Sequence, residues 1–137
     1  MNSSRSRRLV AGMVAVAGIA VLAAGAQVVV AASEVPKTTN ASATPARFCV
    51  RPSSTCTSPG TTIRFTISTK AHVRINMWPR FRNEAGYRVF RGQVHAGTNA
   101  IPLSDTRLYA GRWQIRIQGR NNVGSGTIAT TIVRVYK

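Results

Sequence analysis

Glu84 and Asp105 are the only carboxylates between residues 47 and 137, so a reaction needing a proton given and a proton taken at one place has little to draw on. Both lie in turn-like sequence, NEAG and SDTR, where an acid serves to accept hydrogen bonds from backbone donors. Ser104, His95 and Asp105 make no nucleophilic triad, because adjacent residues on an extended backbone point to opposite sides and no strained nucleophile turn is written in the sequence. A glycine-rich loop between strand and helix, the usual cradle for nucleotide phosphates, is also missing from the sequence. His72 and His95 stand apart from each other and from the cysteines, so neither a metal nor a cofactor is expected. These absences argue for a protein that binds rather than an enzyme.

What the chain has in excess is guanidinium. Lys and Arg number 19 against 3 acids, a formal charge of +16. Setting aside Arg5, Arg7, Arg8, Lys37 and Glu34 leaves 19 − 4 = 15 basic and 3 − 1 = 2 acidic residues in 47–137, an excess of +13. Lys occurs only at 37, 70 and 137. So much like charge opposes compaction, and a merely solvated surface accounts for it poorly; anionic partners account for it better. An arginine bias inherited from base composition would produce the same count without any selection for guanidinium chemistry.

These charges are ordered by the stretch Leu108 to Gly124, LYAGRWQIRIQGRNNVG. Trp113, Ile115 and Ile117 alternate with Arg112, Gln114, Arg116, Gln118 and Arg120, the period of a half-buried β-strand. One side must be core, and the arginines must face water or an anion. Similar alternation predicts strands at Thr61 to Ser68 and at His72 to Trp78, the latter closed by Pro79, which lacks a ladder donor. Tyr87 to Val94 alternates imperfectly because Val89 and Phe90 are neighbours, which predicts a bulge or an edge strand. A short piece over Ala100 to Leu103, the strand at Arg112 to Arg120 and a last one at Thr127 to Tyr136 complete the pattern. The fold class expected is all-β: a single β-sandwich of about seven short strands over residues 47–137.

Two segments precede it. Residues 1–32 carry Arg5, Arg7 and Arg8, an uncharged run from Leu9 to Ala32 and small residues before Ser33, the form of an export signal peptide that enters as a helix. The run of about 24 residues is also long enough as a helix to serve as a membrane anchor. Residues 33–46, SEVPKTTNASATPA, lack apolar periodicity and aromatics and predict a flexible linker. In an exported chain, Cys49 and Cys56 most simply form a disulfide.

The pattern from Ile63 to Val135 resembles the immunoglobulin-like or fibronectin type III-like modules of secreted and cell-envelope bacterial proteins, including the module of flagellar hook-capping proteins. IRFTISTKAHVRINM matches the first strand, corner and second strand; NEAGYRV matches an acid-x-Gly-x-x-Val turn; LYAGRWQIRIQGRNNVGSG matches a Leu-x-Pro-Gly-x-Tyr strand and the following loop. Ala110 stands where proline is usual, Trp113 where tyrosine is usual, and Asn122 where the loop usually has aspartate. The resemblance implies that the second strand, the Tyr87 strand and the Trp113 strand share one sheet. Its outer side would gather Arg74, Arg88, Arg112, Arg116 and Arg120, with Trp78 and Phe90 interleaved as stacking surface, and Arg64 and Arg134 elsewhere. Fold analogy of this kind carries no function by itself.

Outside the cell the abundant polyanions are acidic envelope glycans and anionic lipid headgroups, with extracellular nucleic acid behind them. The sequence therefore points to an exported binding module for such polymers or lipids. The alternatives are a structural protein–protein module of the envelope and a cationic antimicrobial or DNA-binding factor. The expected mature N-terminus is Ser33, which intact-mass analysis of the exported protein checks. A surface species that retains Arg5 to Arg8 would identify Leu9 to Ala32 as an anchor.

Overall fold

A computed structural model describes residues 34–81 and 83–136. The segment read as a signal helix, 1–32, lies outside the described residues. The remainder is all-β, with eight strands: β1 Thr38–Thr44, β2 Arg47–Cys49, β3 Thr61–Ile67, β4 Ala71–Pro79, β5 Tyr87–Val94, β6 Gly97–Leu103, β7 Gly111–Arg120 and β8 Ser125–Tyr136. They form two sheets, one in the order β1-β3-β6 and the other in the order β2-β8-β7-β4-β5. Among the described residues, no helix is long and apolar enough to cross a membrane.

The core lies between the sheets and comes from the alternation in the sequence. Ile63, Phe65 and Ile67 of β3 face Val73, Ile75 and Met77 of β4, Trp113, Ile115 and Ile117 of β7, and Val133 and Val135 of β8, and all of these are buried. Trp113 is fully enclosed, and its indole Nε1 donates a 3.0 Å hydrogen bond to the Tyr109 carbonyl, so the one polar atom of the ring is satisfied. Tyr109, Tyr87 and Phe81 surround it at centroid distances of 4.9, 5.8 and 6.3 Å. Full burial of this ring would contribute on the order of 3 kcal/mol, by analogy with other large apolar side chains.

The segment 33–46 departs from expectation. Instead of a free linker, Thr38–Thr44 pairs antiparallel with β3 from Thr38 opposite Ile67 to Thr44 opposite Thr62. Ala41 and Ala43 pack against the core, and a bulge between Thr39 and Ser42 places Asn40 at φ 53°, a left-handed conformation that asparagine tolerates. Small residues suffice because β1 is an edge strand covering the rim of the core, and they left no hydrophobic signal. Upstream, Pro36 is buried against Gly126, where any Cβ would collide with the Pro36 backbone. Asn121 Nδ2 donates a 2.6 Å bond to the Glu34 carbonyl. The chain then crosses to the other sheet, where β2 runs parallel to the end of β8.

Cys49 and Cys56 are joined in a disulfide, and the excursion between β2 and β3 folds back on it. Cys49 N–H donates to the Ser58 carbonyl at 3.2 Å, and Gly60 N–H donates to the Cys49 carbonyl at 2.9 Å. Closing so short a loop should contribute about 2.5 kcal/mol in the chain-entropy treatment. Replacing both cysteines by alanine is therefore expected to lower the urea-unfolding free energy by about that amount, with an unchanged denaturant slope, as read by equilibrium circular dichroism.

Candidate functional site

The outer face of the five-stranded sheet is set by register. Residues directly opposite one another across a ladder point to the same side, so the pairs can be followed from strand to strand. Arg47 of β2 lies opposite Arg134 of β8, and Arg134 lies opposite Arg112 of β7. Arg80, one residue beyond β4, joins the same row through its backbone N–H, which donates to the Arg112 carbonyl at 2.9 Å. Two rows along, Thr130, Arg116, Asn76 and Arg88 are aligned. The next outward row is Ile128, Gln118, Arg74 and Arg91, and the last is Ser125, Arg120, His72 and Gln93.

Eight arginines thus share one face: Arg47, Arg74, Arg88, Arg91, Arg112, Arg116, Arg120 and Arg134, all exposed. No Asp or Glu occurs in any of the five strands. The three acids of the chain are spent elsewhere. Glu34 lies 4.0 Å from Lys37. Glu84 accepts a hydrogen bond from the Tyr109 hydroxyl. Asp105 accepts a 2.6 Å charge-assisted bond from Arg107 Nη2 and a 3.0 Å bond from the Arg107 backbone N–H.

The structure brings Arg74, Arg88, Arg112, Arg116, Arg120 and Trp78 onto this face as the sequence implied, but not Phe90. A register shift between Ile75 and Asn76 of β4 sets Phe90 opposite Ile75 and Arg88 opposite Asn76. The extra residue of this bulge reverses the parity of β5, so Phe90 packs against the core and Arg91 turns outward. Trp78 does lie outward, yet it is not an open stacking platform. Gly86 packs so closely on the indole that a Cβ there would come within 2.6 Å of the ring, and the Arg116 guanidinium sits 5.1 Å from a ring centroid of Trp78. Arg116 Nε also donates to Gln114 Oε1 at 3.2 Å. Trp78 and Gln114 hold Arg116 in place.

Arg134 was expected away from the face and is part of it. The alternation Val133-Arg134-Val135 carried that signal, since the Asn121 to Gly124 turn makes β8 the neighbour of β7. Arg47 and Arg134 approach the Tyr136 ring at 4.7 and 5.9 Å. Arg64, on β3, does lie on the other sheet. Periodicity could not reveal the concavities at the two ends of the face. One, of about 360 Å³, is lined by His72, Arg74, Arg91, Gln118, Arg120, Asn121, Asn122 and Ser125. The other, of about 300 Å³, is lined by Arg80, Phe81, Gly111, Arg112 and Arg134.

Among the described residues, no group of three or more His, Cys, Asp or Glu side chains gathers to hold a metal. The arrangement can bind oxyanions bidentately; planar guanidiniums suit phosphate and carboxylate better than ammonium groups do. No known protein family, characterised protein or solved structure matches the chain.

Asp105 supplies a pH signature separate from the face. Its hydrogen bond from the Arg107 side chain holds its carboxyl below the ordinary value of 3.8. The folded state therefore binds this proton less readily than the unfolded state does. The stabilisation is complete above the unfolded value and is lost as pH falls through the lower folded one. Asp105→Asn should accordingly flatten the melting temperature against pH between about pH 5 and 2 relative to the parent, with both measured by thermal circular dichroism.

Proposed function

We propose that this is an exported, non-catalytic module that binds anionic polymers of the cell envelope through the outer face of its five-stranded sheet. The observation that carries the reading is the alignment of eight arginines from five strands on a face whose strands contain no acid. Across strands the rows advance by about 4.8 Å and along them by about 6.6 Å per outward residue, so a flexible polyanion lying on the face is within reach of a guanidinium in every outward row except that of Ile132, Gln114 and Trp78. Uncompensated charge at this density is unfavourable in the free protein and is relieved by an anionic ligand.

An immunoglobulin-like sandwich is the finer reading of the fold. Its support is the pairing of β3 with β6 in one sheet and of β4 with β7 and β7 with β8 in the other, the arrangement of strands B with E and C with F with G in that fold. A second reading of the ligand, anionic lipid headgroups, is favoured by one observation. Ile128 and Ile132 are 53% and 38% exposed on the same face, beside the arginine columns, and could enter a headgroup layer.

Binding of the exported, mature chain to purified wall polymer, anionic liposomes and DNA at two salt concentrations separates these readings. Replacing Arg116 and Arg120 by glutamine should weaken wall-polymer binding roughly tenfold at low salt, while the melting temperature stays nearly constant because exposed charges contribute little to folding. The Arg64→Gln variant, which lies on the other sheet and leaves this face intact, should bind nearly as the parent does. A loss per replaced arginine as large from Arg64→Gln as from the Arg116, Arg120 pair would reject a localised face in favour of a diffuse field. If liposomes bind while wall polymer does not, the lipid reading stands in its place.

A further inference from the structure

The arginine face is not uniform. Arginines stand directly opposite one another on three ladders, Arg47 with Arg134 included, and two of these pairs open into a concavity. On the β4–β5 ladder Arg74 faces Arg91, beside Arg120 and His72. On the β7–β8 ladder Arg112 faces Arg134, beside Arg80. Like charges directly opposed on neighbouring strands are destabilising, and no carboxylate lies in these strands to reverse the sign. An oxyanion seated between the two guanidiniums would turn each repulsive pair into two attractive contacts.

The first concavity also has a formed wall. Asn121 Oδ1 accepts hydrogen bonds from Val123 N–H at 2.9 Å and Gly124 N–H at 3.1 Å, and its Nδ2 is tied to Glu34. Gln118 Nε2 donates to the Gly126 carbonyl at 3.0 Å. These bonds fix the turn that closes this end of the sheet. At the other end, Phe81 closes the concavity against Gly111, whose φ of 144° and contact with the Phe81 ring admit no side chain.

The two concavities lie at opposite ends of the same strands. Arg74 and Arg80 are six residues apart, and Arg112 and Arg120 are eight, which at strand rise places the two ends on the order of 20–27 Å from each other. Arg116 stands midway on β7, four residues from Arg112 and four from Arg120. We infer that each concavity seats one phosphate group and that the face reads length, with a linear phosphate-bearing chain held at two points once it spans both seats. This rests on the polyanion reading and narrows it to phosphate polymers of a minimum extent. Below that extent a ligand occupies one seat. Above it, the second contact is intramolecular and adds affinity without any new kind of interaction.

The test uses linear polyphosphates of defined length, titrated calorimetrically into the exported, mature chain at fixed salt. Affinity is expected to rise by at least about tenfold over the lengths whose extended span first reaches 20–27 Å, and to change little on either side. The Arg74→Gln, Arg91→Gln and the Arg112→Gln, Arg134→Gln variants should each abolish the step and bind long chains only as tightly as short ones. Both should melt no lower than the parent, since each removes an opposed pair of like charges, and Arg64→Gln should keep the step. A smooth rise with length in the parent, or a step that survives in either double variant, would overturn the two-seat reading. The two proposals fail separately. If polyphosphate shows the step but purified polyol-phosphate wall polymer does not bind, the seats stand and the envelope ligand falls; if wall polymer binds through Arg116 and Arg120 without any step, the envelope ligand stands and the seats fall.

Discussion

Burial of Trp113 with Ile115 and Ile117 is the constraint from which the rest follows. A strand has one alternation, so enclosing these three side chains sends Arg112, Arg116 and Arg120 to the other side. A slip of one residue would bury three guanidiniums without partners, at a cost far above anything the core could return. β7 lies between β4 and β8. Its register therefore fixes theirs, and the outward residues of all three strands fall into common rows. The arginine face is in this sense the reverse side of the core. The Tyr109 carbonyl, which satisfies the indole of Trp113, supports both.

The arrangement carries an electrostatic load. Paired arginines on adjacent strands repel, and the acids that could have relieved them are engaged with Lys37, Tyr109 and Arg107 at the margins. What offsets the repulsion in the free protein is covalent and apolar: the Cys49–Cys56 bridge and a core drawn from both sheets. A sequence selected for stability alone would have distributed a few acids among these strands. All eight strands lack acids, and the three carboxylates lie in the segments that precede or connect them.

The strands whose core faces alternate strictly were legible in the sequence, and β3, β4 and β7 lie where their periodicity placed them. Three features were not. β1 is built from Thr, Asn, Ala and Ser, whose small side chains give an edge strand the same composition as a linker; only the ladder to β3 distinguishes the two. In β5 the neighbouring Val89 and Phe90 signalled a bulge, but the position of the extra residue decides which later residues face out, and that depends on pairing with β4. Phe90 and Arg91 therefore exchanged sides relative to simple counting. The first concavity combines residues from β4, β5, β7, the Asn121 turn and the start of β8, and the second joins Arg80 and Phe81 to the start of β7 and to Arg134 of β8, proximities that no local pattern encodes. Arg134 was readable, since it alternates with two buried valines in the strand after the hairpin.

The arginines of the face also differ in how much freedom each would lose on binding. Arg116 is already held between the Trp78 ring and Gln114, so its guanidinium is oriented before any ligand arrives. Ordering a long side chain at an interface costs about 0.5–1.5 kcal/mol, and a preorganised one avoids most of that. Arg47 and Arg134 share a similar restraint on Tyr136. The face therefore combines cations oriented by aromatic rings, at its centre and beside Tyr136, with opposed, repelling pairs at its ends. In the free protein, the centre is set by packing. The ends approach their most favourable electrostatic state only when something negative lies between them, so the weakest part of the unliganded surface is where a ligand gains most.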